Sequence, residues 1–153
     1  MLVVISIIGI LVALGLSSYS GAQRQARDRQ RQSDLNQYRI ALENYANRTA
    51  SSTYPIRQST NVDTGEGLCH RDFGGITIVP TFMSSCLQDP KYNSSTYNNP
   101  YYYVTNASGS SYVLQARMES ASSSTPFYVI CSNGKSGYRG TSIAGLGWID
   151  CPL

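Results

Sequence analysis

Hydrophobic and polar positions divide the chain at once. Residues 1–16, MLVVISIIGILVALGL, are apolar and carry no charge; only Ser6, Gly9 and Gly15 interrupt the run. Beyond it no proline occurs before Pro55, and the residues turn polar and basic. Within that polar stretch Leu35, Tyr38, Leu42 and Tyr45 recur at intervals of three, four and three, which is one face of an α-helix. One continuous helix is therefore predicted over residues 1–50, apolar all round in its first third (1–18) and amphipathic over 19–50. At 1.5 Å per residue, roughly 50 residues make a rod about 75 Å long. A domain this small cannot bury such a rod, so its apolar end must sit in lipid or against other copies of itself. The run is slightly short of the roughly 20 residues that span a bilayer core. A cleaved secretory peptide would show a basic segment in front and a small-residue site behind; neither is clear here, and the helical pattern continues straight on.

After Ser51-Ser52-Thr53-Tyr54-Pro55, which breaks the helix, the pattern changes again. Residues 51–100 read as a Gly- and Pro-rich loop with one short strand expected at Ile76–Val79. Residues 101–153 read as strands: Tyr101–Val104, then Ser111–Met118, then Phe127–Cys131, with Asn133-Gly134 as a hairpin turn and Gly147–Cys151 as a fourth strand or stapled tail. In the second strand Tyr112, Leu114, Ala116 and Met118 alternate with Gln115 and Arg117, so the latter pair is expected on the solvent face. The fold class is α+β: the C-terminal half of the helix packs against a small antiparallel sheet through Leu35, Tyr38, Leu42 and Tyr45, because an isolated sheet must cover its apolar side. The domain organisation is an N-terminal helix, 1–50, and a β-rich head, 51–153.

Here the residues 2–28, LVVISIIGILVALGLSSYSGAQRQARD, resemble the N-terminal helix of type IV pilins and type II secretion pseudopilins. The resemblance implies the pilin fold and a filament built by packing the apolar helices of many copies. Leu2, Val3, Val4, Ile5, Ile7, Ile8, Gly9, Ile10, Leu11, Ala13, Leu14, Ser17 and Gly21 would form the filament core. Small residues at every fourth position, Gly9, Ala13, Ser17 and Gly21, would let helix backbones approach closely. The implied partners are other copies of the chain, a pilus assembly machine, the inner membrane before assembly and the surface of another cell. The implied location is a single-pass inner-membrane subunit that becomes an extracellular filament for motility and adhesion, with a methylated N-terminus. Two positions depart from the family. Ser17 stands where many members have proline, and the glutamate expected just ahead of Leu2 is absent, which predicts residues upstream of Met1.

Charge and cysteine content sharpen this picture. The 153 residues carry a formal net charge of only +3, which does not argue for a specific nucleic-acid partner. Four arginines cluster between Arg24 and Arg31, a flank that the positive-inside rule would hold in the cytoplasm. Those arginines could touch lipid headgroups, pair with carboxylates of adjacent copies, or form a solvated face. Yet Cys69, Cys86, Cys131 and Cys151 lie beyond them in a small domain, which points to an oxidising compartment. A basic leader upstream would reconcile the two. Four cysteines allow three pairings; Cys69–Cys86 with Cys131–Cys151 closes the shorter loops, and free thiols are the alternative.

Twelve tyrosines stand against three phenylalanines, and Tyr92, Tyr97, Tyr101 and Tyr103 are candidates for subunit contacts or ordinary strand positions. Asn61, Asp63, Gly65 and Glu66 loosely resemble a calcium loop but complete no standard spacing. No metal site and no cofactor is expected. With His70 as the single histidine and no nucleophile motif beside it, an enzyme is not expected. The function expected is a structural filament subunit. A secretion or DNA-uptake pseudopilin is the alternative within the family. A membrane-tethered binding domain is the alternative outside it, disfavoured by the lack of a flexible linker after the apolar run.

Overall fold

A computed structural model describes residues 2–56, 68–69, 71–91, 101–143, 151 and 153, with the backbone alone for residue 2 and residues 11–18. The chain begins with one helix, α1, Leu2–Arg48. Its 47 residues rise roughly 70 Å. Absence of proline and a supply of Ala, Leu, Gln and Arg sustain it. It stops where the Thr49 amide closes the last turn on the Tyr45 carbonyl and Ser52 takes a left-handed φ of 49°, three residues before Pro55.

Four strands follow: β1 Tyr102–Thr105, β2 Tyr112–Arg117, β3 Phe127–Cys131 and β4 Ser136–Arg139. They form an antiparallel meander in the order β1-β2-β3-β4. Tyr103 faces Leu114 across the first pair, and Leu114 faces Ile130 across the second. The β3–β4 turn is the expected Asn133-Gly134, with Gly134 at a φ of +83°. The β1–β2 turn is held by Asn106, whose Oδ1 accepts from the amides of Ser110 and Ser111.

Alternation along β2 sends Tyr112, Leu114 and Ala116 toward the helix, where they meet Leu35, Tyr38, Ala41, Leu42 and Tyr45. Leu35 and Leu42 are fully buried. The segment 68–91 closes the same core with Leu68, Cys69 and Ile78, and the Cys69–Cys86 disulfide ties its two ends together. The second disulfide, Cys131–Cys151, ties β3 to residue 151.

Two expectations need correction. The opposite face of the sheet is covered: Val104, Val113, Val129, Cys131 and Ile143 form a second cluster, and Gln115 is wholly buried. Gln115 has no solvent to face because its Oε1 accepts from the Ile143 amide at 2.8 Å and its Nε2 donates to Ser142 Oγ at 3.0 Å. Ile76–Val79 is not a strand but bends and turns, with a cis Val79–Pro80 bond. The sheet also holds a strand the sequence reading did not name, Ser136–Arg139; of the segment 147–151, expected as a fourth strand or a stapled tail, only Cys151 is among the described residues, and it is joined to Cys131.

Candidate functional site

Two surfaces stand out: the amino half of α1 and the junction between α1 and the head. In the first, Val3, Val4, Ile5, Ile7, Ile8 and Ile10 are all between 53% and 70% exposed. Consecutive helix positions are 100° apart, so these six large side chains span roughly 220° of the helix circumference, a band wider than one stripe, and Ser6 and Gly9 fall in the remaining arc. Ser6 is the one polar side chain among them, and it donates back to the Val3 carbonyl at 2.8 Å, so it presents no free hydroxyl proton. Gly9 and Gly21 have open space where a Cβ would stand. Of the remaining filament-core candidates, the side chains of Leu2, Leu11, Ala13, Leu14 and Ser17 lie outside the described residues. Among the described residues no helix is long and apolar enough to cross a membrane.

At the junction the helix face that carries Leu35, Tyr38, Leu42 and Tyr45 continues toward the amino end as Arg31 and Asp28. Arg31 is 1% exposed. Its Nε and Nη2 donate to the two oxygens of Asp89 at 2.5 and 3.0 Å, and its Nη1 donates to Asp28 Oδ1 at 2.7 Å. Its Nη2 also lies 2.8 Å from Glu119 Oε1. Glu119 in turn takes a two-pronged contact from Arg27, at 2.8 and 2.7 Å, and one from Lys91 Nζ at 2.7 Å. Asp28 accepts from the backbone amides of Glu119 and Ser120 at 2.9 and 2.7 Å. One helix turn is thereby bound to two distant loop segments.

The electrostatics follow from those contacts. The Arg27 hydrogen bond, opposed by burial and helped by Lys91 and Arg31, holds the Glu119 carboxyl well below its ordinary range. Burial pushes Asp28 up, but the two amide donors and Arg31 more than offset it, so it too is lowered. Asp34 behaves oppositely. Burial raises it, and the Tyr101 hydroxyl, donating to its Oδ2 at 2.6 Å, only partly compensates. Burial opposes the Arg31 charge, but its hydrogen bonds to Asp89 and Asp28 prevail, so its proton is held more firmly than usual.

The arginine run is therefore not a uniform solvated face. Arg27 and Arg31 turn inward to their own head, while Arg24 and Arg29 stay exposed. The tyrosines work inward as well. Tyr101 and Tyr103 are 3% and 2% exposed, so neither is available to a subunit contact; Tyr92 and Tyr97 lie outside the described residues. The Tyr38 hydroxyl donates to the Leu87 carbonyl at 2.6 Å and lies 3.3 Å from both sulfurs of the Cys69–Cys86 bond. Tyr54 and Tyr112 donate to the two oxygens of Glu43, at 3.0 and 3.1 Å.

Asp28, Asp89, Lys91 and Glu119 are absent from the sequence reading as site residues. Their partners are separated in sequence by up to 92 residues, and only the spacing of Asp28 and Arg31 within the helical stripe hinted at them. Among the described residues no group of three His, Cys, Asp or Glu side chains is placed to hold a metal ion. His70 and the residues 61–66 of the loosely calcium-like loop are not among them. Comparison of the chain with family models, with curated proteins and with solved structures gives no match.

Proposed function

We propose that the protein is a structural subunit of a filament of the type IV pilin kind, assembled through the amino half of α1. The reading is carried by one observation: six large aliphatic side chains on Val3 through Ile10 spread over more than half of the helix circumference and are each more than half exposed. Exposed apolar surface of this extent belongs to interfaces or lipid. At about 1.5–3 kcal/mol for each fully buried side chain, the six would contribute roughly 9–18 kcal/mol to association. The subunit waits in a membrane with its disulfide-stapled head outside, then trades lipid for the helices of other copies. Continuity of α1 from Leu2 to Arg48 supports a filament over a tethered binding domain, since a rigid rod places each head at a fixed height above the core. An assembly machine and a contacted cell surface are the further partners of this reading.

The test compares the native chain with Ile8→Lys in its own cells. Sheared surface material and membranes are probed with antibody and examined by electron microscopy. The native chain is expected in sheared filaments, and Ile8→Lys is expected to form none while its head unfolds at the same temperature. A native chain found only as a monomer in membranes, or only in the soluble fraction, overturns the reading.

A further inference from the structure

Beside the buried clamp lies an open cleft of about 400 Å³, lined by Arg24, Arg31, Lys91, Arg117, Met118 and Glu119. Within the surrounding cluster five cations, Arg24, Arg27, Arg31, Lys91 and Arg117, meet three carboxylates, Asp28, Asp89 and Glu119. All three carboxylates are engaged by Arg27, Arg31 and Lys91. Two positive charges are left over, and they sit on Arg24 and Arg117, both exposed and neither with an ion-pair or hydrogen-bond partner among the described residues. An arginine fork matches the oxygens of a phosphate, and the two guanidinium groups border one cavity.

We propose that this cleft binds the phosphate of an anionic phospholipid headgroup while the subunit is in the membrane, an inference that rests on the membrane-stored filament subunit above. The height is right. Arg24 lies eight residues beyond Leu16, the last of the apolar run, or about 12 Å along the helix axis. Side chains of a helix lean toward its amino end, so Arg24 reaches back toward a headgroup layer some 5–8 Å deep. A second copy is the poorer occupant. Among the described residues the side-chain carboxylates of Asp28, Asp34 and Asp89 are buried and those of Glu43 and Glu119 each accept from two or more groups of their own chain, which leaves a neighbour only the exposed Asp72 to offer.

The full chain in detergent is diluted into phosphatidylcholine vesicles and into vesicles containing phosphatidylglycerol, and the floated fraction is measured. The native chain should favour the phosphatidylglycerol vesicles. Arg24→Gln/Arg117→Gln should lose about 5-fold in partitioning per residue, on the order of 25-fold together, on those vesicles alone. Arg39→Gln, exposed on α1 and roughly 22 Å further along the axis, should change nothing. Equal partitioning of native and double variant overturns the proposal. So does saturable binding of inorganic phosphate to the native chain in detergent that Arg24→Gln/Arg117→Gln abolishes while leaving its partitioning unchanged, which would assign the cleft to free phosphate. A double variant that partitions normally but forms no filaments also overturns it and makes a second copy the occupant. A native chain that floats with neither vesicle defeats instead the membrane reading on which the proposal stands.

Discussion

Arg31→Met separates a structural ion-pair cluster from a decorative one. The Arg31 side chain is 1% exposed and that of Asp89 is 0% exposed. Without the guanidinium, Glu119 keeps Arg27 and Lys91, and Asp28 keeps two backbone amides. Among the described residues Asp89 keeps only the Lys91 amide, at 2.7 Å. The damage therefore concentrates on one buried carboxylate without a counter-ion, a situation that costs about 3–5 kcal/mol. For a head of roughly 100 residues this lowers the melting temperature by about 12–40 °C. Arg31→Met/Asp89→Leu removes both charges and should recover most of the loss, because a buried pair exchanged for apolar groups is often neutral. Urea and thermal unfolding followed by circular dichroism in mild detergent would measure both variants. A single variant within about 1 kcal/mol of the native chain would reduce the cluster to the worth of surface pairs. A double variant no better than the single one would mean that lost packing, not a stranded charge, is responsible.

Stability should fall in acid. Glu119 and Asp28 have folded values below their ordinary 4.5 and 3.8, so the stability they contribute is complete above those ordinary values and is lost as pH drops through the folded ones. Asp34 has the opposite sign, since its raised value makes protonation favour the fold; melting temperature measured from pH 7 downward should hold steady or rise slightly until about pH 4.5 and then decline. A continuous decline from pH 7 would contradict these assignments. Replacing Cys69 and Cys86 by serine opens a loop of sequence separation 17 and should cost about 3 kcal/mol by denaturant titration. Gly109→Ala should destabilise the head by more than about 1 kcal/mol, because Gly109 has a φ of +68° and an added Cβ would stand 2.8 Å from Ile56 Cγ1 and 2.9 Å from the Tyr54 carbonyl; an unchanged denaturation midpoint would show that this turn relaxes freely.

Local pattern made part of this architecture legible. Leu35, Tyr38, Leu42 and Tyr45 announce the buried helix face by spacing alone, and Asn133-Gly134 announces a hairpin by its tolerance of left-handed backbone. What stayed hidden depends on distant partners. Arg31 sits in a run of arginines that looks solvated, and beside the local Asp28 it is Asp89 and Glu119, 58 and 88 residues further on, that make its burial possible. Asp28, Arg31, Leu35 and Tyr38 nevertheless continue one three-four-three spacing, so the inward direction of Arg31 was written in its register though not in its chemistry. Gln115 reads as a solvent-side residue until residues 142–143 fold over it. Strand β4, Ser136-Gly137-Tyr138-Arg139, has little intrinsic strand preference and is defined by its pairing with β3.

The attachment of the head to α1 has a mechanical consequence. Tension applied to the amino end of the helix runs along its axis. Arg27, Arg31, Tyr38 and Tyr45 reach sideways from that axis to residues 119, 89, 87 and 73. Axial force therefore acts on these bonds in shear and on all of them at once. A transverse force would peel them in sequence. The head is thus hardest to strip from α1 in the direction of the helix axis.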